Sequence, residues 1–149
     1  MSPHPAPSSP DPADLAALSA VQAAHQAFYD AFEARDLDAM SEVWEHSDRV
    51  VCTHPGWRTL RGWGAVSGSW FALFANPNAL QFILTEEVVV VDGDVAWVSV
   101  DENLIGGGSA DAPGSELGST VAALNLFRRH PGDRWLLVAH HGSPVAPQA

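Results

Sequence analysis

A change of texture at Leu80 constrains this chain more than any other feature. From there the sequence reads as β-rich runs at 80–91, 95–105, 116–129 and 134–141, whereas almost everything before it has helical periodicity. Asp92-Gly93-Asp94 and Pro131-Gly132-Asp133 separate consecutive runs with the residues that tight hairpins require. The Gly- and Ser-rich stretch 106–115 predicts a longer, flexible hairpin tip. Helices first and an antiparallel meander after define an α+β fold, a sheet covered on one face by helices.

Three helices are expected ahead of the meander. Asp11 is placed to cap the first, with Pro12 at its first position and Asp14 in an acidic first turn. Leu15, Leu18, Gln22, His25, Tyr29 and Phe32 recur at steps of three and four. Val21, Ala24, Phe28 and Ala31 fill the next stripe, which gives the helix a broad apolar face. Asp36 can cap a second helix carrying Leu37, Met40 and Trp44 on one face. A short strand at 49–53 follows, then a turn at Pro55-Gly56. The third helix, containing Trp63, Val66, Trp70 and Phe74, stops at Asn76-Pro77. Residues 1–10 are Pro- and Ser-rich and predict a disordered tail; 11–143 form one domain, and 144–149 a second tail.

Composition excludes several function classes. Seven cations against eighteen carboxylates leave a net charge of -11, unsuited to nucleic acid or an acidic membrane surface. All seven cations are arginine, so Schiff-base chemistry through a lysine is excluded. Cys52 is the lone cysteine and makes no internal disulfide. With no basic-then-apolar leader and no long apolar run, a cytoplasmic, membrane-free protein is expected.

The chemistry-bearing residues gather around His54, which the strand delivers to the Pro-Gly turn. A histidine at the mouth of a sheet can exchange protons near neutral pH or can simply cap the turn. Cys52 shares its strand face, but an expected separation of about 7 Å is too long for a thiol–imidazole contact. His140 and His141 are adjacent on a strand and face opposite ways, so they cannot chelate one ion together. No close-spaced ligand motif suggests a metal or another cofactor.

The runs FYDAFEARDLDAMSEVWEHSDRVVCTHPGW, LRGWGAVSGSW, VVDGDVAWVSVDE, NLFRR and RWLLVAHHGSP resemble the SnoaL-like branch of the nuclear transport factor 2-like superfamily, which includes ketosteroid isomerases and polyketide cyclases. The resemblance covers roughly residues 15–145. It implies a cone-shaped fold in which three helices pack on a strongly bent, mostly antiparallel sheet enclosing a pocket, commonly in a dimer. Aligned with the steroid isomerases, their aspartate base falls on His54, their oxyanion tyrosine on Phe28 and their protonated acid near Ala123. All three differ, which argues against steroid isomerisation by that mechanism.

The same superposition sends Trp97, Ser99, Asp101 and Asn103 inward on one strand, Val121, Ala123, Asn125 and Phe127 on the next, and Val138 and His140 on the last. Glu102 and His141 then face outward; a slip of one residue would swap the faces. The expected catalytic set is His54, Asp101, Asn125 and His140, walled by Phe28, Trp57, Trp70, Trp97, Ser99, Ala123 and Val138. Such a set suits cofactor-independent proton transfer beside a carbonyl, as in an isomerase, cyclase or dehydratase, on a small apolar or aromatic ligand. Two alternatives remain open. One is a ligand-binding domain without turnover. The other is a homodimerisation domain joined through an outer sheet face of Val98, Val100, Leu124, Leu126 and Leu137.

Overall fold

A computed structural model describes residues 3, 11–77, 79–105 and 119–147. The expected tail at 1–10 and the glycine-rich tip at 106–115 therefore lie almost wholly outside the described residues. Helix α1 spans Pro12–Ala34; the Asp11 carboxylate caps it by accepting from the Ala13 N–H at 2.9 Å, and Arg35 ends it in the left-handed region at φ 50°. Asp36 then accepts from the Ala39 N–H and starts α2, Leu37–Val43. Strands β1 (Val51–Thr53) and β2 (Leu60–Arg61) flank the Pro55 turn, and α3 is Trp63–Phe74. The meander follows as β3 (Gln81–Asp92), β4 (Val95–Ile105), β5 (Thr120–His130) and β6 (Arg134–Pro144).

These strands form one open six-stranded sheet in the order β2-β1-β6-β5-β4-β3, antiparallel except where β1 runs parallel to β6. That one parallel pairing sets Cys52 beside His140, so the first strand's turn reaches the last strand. A buried Glu45 fixes the entry to β1. Its carboxylate takes the Arg49 guanidinium through two nitrogens, and its backbone N–H donates to the Leu137 carbonyl. The Arg49 contact holds the Glu45 carboxyl down at about 2.

The helices cover one sheet face, and the core between them is aromatic. Phe28, Phe32, Trp70 and Phe82 meet edge-to-face at 4.7–5.6 Å between centroids, contacts worth about 0.5–1.5 kcal/mol each beyond area burial. No described helix is long and apolar enough to cross a membrane.

Two bulges set which side chains reach this core. In β6 the pairing jumps from Leu126–Ala139 to Phe127–Leu137, leaving Val138 as the extra residue. His140 and Gly142 face inward on one side of the bulge, and Leu137 and Trp135 also face inward on the other. Uninterrupted alternation would have sent Leu137 and Trp135 outward and Val138 inward. In β3 the register jumps between Thr85 and Val88, where Glu86 takes a positive φ of 55°.

Strand β4 presents the face opposite to the one expected. Ala96, Val98, Val100, Glu102 and Leu104 are buried, whereas Trp97, Asp101 and Asn103 are half-buried and Ser99 is exposed on the outer face. Burial follows the apolar alternation of the strand itself and not the superposition on distant relatives. Val98, Val100 and Leu137 consequently belong to the core, and Leu124 and Leu126 remain on the outer face.

Gly142 seats the His54 turn against the sheet. A Cβ there would stand 3.0 Å from Val121 Cγ1 and 3.1 Å from Pro55 Cγ. Gly142→Ala should therefore lift Pro55 and cost about 1–3 kcal/mol, read as a lowered denaturation midpoint at unchanged slope.

Candidate functional site

The interior polar groups come from both the helices and the sheet. Helix α1 contributes His25 and Tyr29, one turn apart on its buried face; β4 contributes Glu102, β5 Asn125, β6 His140, and the end of β1 His54. All are nearly inaccessible to solvent.

A continuous chain of hydrogen bonds joins five of them. The Tyr29 hydroxyl donates to Glu102 Oε2 at 2.5 Å. Asn125 Nδ2 donates to the Tyr29 oxygen at 3.1 Å and to His25 Nε2 at 3.0 Å. Asn125 Oδ1 accepts from His140 Nδ1 at 2.5 Å. Every polar atom of the Asn125 amide is thereby used, as a fully buried amide requires.

His54 stands beside this chain, its ring 6.3 Å from His140 and edge-on to Trp70 at 4.7 Å. The Ser69 hydroxyl donates to the Val66 carbonyl and so must accept from His54 Nε2, at 2.9 Å. The His54 carbonyl takes the Trp57 N–H at 2.8 Å, which closes the turn. Backbone and side chain thus do separate work. Cys52 Sγ lies 3.7 Å from His54 Nε2, closer than simple strand spacing suggests because the two side chains lean together. Burial pushes that thiol well up, so it stays protonated.

Burial dominates the electrostatics. Desolvation lowers His25 and His54 to about 4 and His140 to about 3, leaving three neutral imidazoles at physiological pH. It raises the Glu102 carboxyl to about 7, against the opposing hydrogen bond from Tyr29. Burial and the neighbouring Glu102 push the Tyr29 phenol well above its usual value. A group that gains and loses a proton at neutral pH sits among groups that do not.

Of the expected site residues, His54, Asn125 and His140 meet in this interior, with Phe28, Trp70 and Ala123 among the core residues around them. Asp101, Trp97 and Ser99 stand on the other face of β4, Val138 occupies the bulge, and Trp57 is two-fifths exposed over the His54 ring. Glu102, Tyr29 and His25 lie outside the expected set. His25 and Tyr29 were legible as polar residues spaced i, i+4 on an otherwise apolar helix face. Glu102 was legible in the Ala96, Val98, Val100 alternation. Among the described residues no group of three or more His, Cys, Asp or Glu side chains is disposed to hold a metal ion.

A family model for the SnoaL-like domain matches residues 21–147, nearly the whole described fold. The chain belongs to the SnoaL-like family. It is similar to a Streptomyces avermitilis protein of the NTF2-like family proposed to be a dehydratase, with 38% identity over 90% of this chain and 99% of that one, at a TM-score of 0.78. It is also similar to a proposed calcium/calmodulin-dependent protein kinase type II association domain from Thiobacillus denitrificans, with 34% identity over 84% of this chain and 94% of that one, at a TM-score of 0.71. Among curated proteins it matches the F-box protein SKIP8 of Arabidopsis thaliana at 28% identity over 86% of this chain. The match spans about half of that relative's length, 51%. Its fold is the α+β cone of the NTF2-like superfamily.

Proposed function

We propose that this SnoaL-like protein is a cofactor-independent proton-transfer enzyme of the isomerase, cyclase or dehydratase type, acting on a small apolar carbonyl compound. One observation carries the reading: a buried carboxyl raised to about 7, hydrogen-bonded to a phenol that continues through an amide to a neutral imidazole. A general acid–base works best when its pKa lies near the working pH, and Glu102 meets that condition. It takes the place in the catalytic set that was expected of Asp101.

The other groups have complementary parts. Tyr29 keeps its own proton and holds the Glu102 carboxylate by a donated hydrogen bond, while Glu102 accepts or returns the proton of the substrate. Neutral imidazoles at His54 and His140, with Asn125, keep the surroundings of Glu102 uncharged and of low dielectric, which sustains its raised value. The similarity to the proposed Streptomyces avermitilis dehydratase favours elimination from a β-hydroxy carbonyl over isomerisation.

Deuterium uptake tests this even while the natural substrate is unidentified. A panel of apolar β-hydroxy and α,β-unsaturated ketones incubated in D2O should yield a member that gains deuterium beside its carbonyl with the wild-type chain and not with Glu102→Gln. Uptake unaffected by Glu102→Gln would refute the assignment, and a panel bound without exchange would favour the ligand-binding alternative.

The outer face of the sheet supports a second proposal, self-association. Ile83 and Val88 are 54% and 56% exposed and Leu124 is 42% exposed, on a face that also carries Trp97 and Leu126. These apolar side chains, interspersed with Ser99, Asp101 and Asn103 on the same face, suit an isologous contact with a second copy. The similarity to a proposed association domain points the same way. Native mass spectrometry should report a dimer for the wild type and a monomer for Leu124→Glu; a monomeric wild type would remove this part of the proposal.

A further inference from the structure

Two carboxylates at the ends of the buried hydrogen-bond chain constrain which nitrogen of His140 carries its proton. Glu102 is one end. The other is Glu87, which follows the positive-φ residue Glu86 in the β3 bulge and sets Oε1 3.5 Å from His25 Nδ1. An ionised carboxylate only accepts hydrogen bonds. Facing Glu87, His25 favours Nδ1–H and leaves Nε2 bare, so the Asn125 group beside that nitrogen has to be the amide NH2. Facing ionised Glu102, the Tyr29 hydroxyl turns its hydrogen toward the carboxylate and offers its oxygen, which again calls for the NH2 of Asn125. Both ends demand the same amide orientation. The remaining Asn125 atom is then Oδ1, and it requires His140 to keep its proton on Nδ1 at 2.5 Å.

We propose that Glu87 and Glu102 act as positioning residues that lock Asn125 in one orientation and thereby hold His140 as the Nδ1–H tautomer, with Nε2 left as a hydrogen-bond acceptor. Its catalytic meaning rests on the proton-transfer reading above, but the locked tautomer is a property of the folded protein without substrate. The bulge in β3 thereby acquires a function. By inserting one extra residue between Thr85 and Val88 it brings a carboxylate that is 36% exposed against a histidine that is 1% exposed. Reversing Asn125 would set the bare His25 nitrogen against a carbonyl oxygen and leave His140 as Nε2–H, a hydrogen-bond donor in place of an acceptor.

Neutral histidine tautomers are distinguished by long-range proton–nitrogen NMR correlation of the imidazole nitrogens. At about pH 9, roughly two units above Glu102 and far above the histidines, the wild-type chain should show Nδ1–H at both His25 and His140. Either single substitution, Glu87→Gln or Glu102→Gln, leaves one lock in place and should leave that pattern intact. The double variant removes both, and a substantial Nε2–H population should then appear at His140.

If the double variant does not fold, Glu87→Gln alone at about pH 5.5 gives the same comparison, because Glu102 then gains its proton. Of the titratable groups around Glu102, Tyr29 on α1 and Cys52 on β1 stay protonated across that range, and His25 and His140 stay neutral. A wild-type His140 that carries its proton on Nε2, or an Nδ1–H pattern unchanged when both locks are removed, overturns the proposal. Neither result depends on finding a substrate, so failure here is separate from failure of the deuterium-uptake test.

Discussion

Acidification should destabilise this protein steeply from about pH 6 down to pH 4, above the range in which a typical acidic domain begins to lose stability. The cause is the three buried imidazoles. Each folded-state value is depressed, to about 4 for His25 and His54 and about 3 for His140, from an unfolded value of 6.5. Below 6.5 the unfolded chain takes up protons that the folded chain refuses, so stability falls as pH falls and the loss is complete only below the folded values. One such histidine corresponds to about 3 kcal/mol.

The three are neighbours and do not add independently, yet even a partial sum consumes most of the roughly 5–15 kcal/mol that stabilises a domain. Glu102 works in the opposite sense over an overlapping window. Its folded value is raised from 4.5 to about 7, so ionisation lowers stability as pH rises through that range. With three groups against one, the net slope is upward until about pH 6.5 and slightly downward beyond. Urea midpoints measured from pH 4 to pH 9 should trace that asymmetric maximum; a flat profile between pH 4 and 6 would show that the imidazoles are not held neutral by burial.

Glu102→Gln should separate stability from activity. Above pH 7 the wild-type chain bears the cost of a buried carboxylate, about 3 kcal/mol by the displacement of its pKa. Glutamine keeps an oxygen for the Tyr29 hydroxyl and carries no charge. The variant is therefore expected to be more stable than wild type by about 2 kcal/mol at pH 8, a rise in melting temperature of roughly 6 °C. At about pH 5, where the wild-type carboxyl is already protonated, that gain should vanish. Proton transfer to substrate should be lost at every pH, the trade between stability and function expected of a group kept for its chemistry. An equal destabilisation at both pH values would instead mark Glu102 as a packing residue.

Much of the fold was legible because its signals are local. The Asp11 and Asp36 caps, the Asp92-Gly93-Asp94 and Pro131-Gly132-Asp133 turns and the switch to strands at Leu80 each act over a few residues, and the structure places an element boundary at each. Register is a different matter, because it depends on bulges that no single residue announces. Val138 and the Glu86–Glu87 pair carry no glycine to mark an extra residue, and Val138 reverses the expected facing of Trp135 and Leu137. On β4 the apolar run Ala96, Val98, Val100 points to the true inner face, against a superposition on distant relatives. The interior positions of Asn125, His140 and His54 were reached from sequence. The hydrogen bonds that tie Tyr29 and His25 on α1 to Glu102 and Asn125 span 73 to 100 residues of chain and are visible only in three dimensions.

The proposed chemistry requires Glu102 to exchange its proton near neutral pH inside an otherwise neutral cluster. Carbon-detected NMR of the glutamate side-chain carboxyls, assigned with the Glu102→Gln variant, measures this directly. The Glu102 resonance should titrate with a midpoint at about 7. A midpoint near 4.5, the ordinary glutamate value, would contradict the claim.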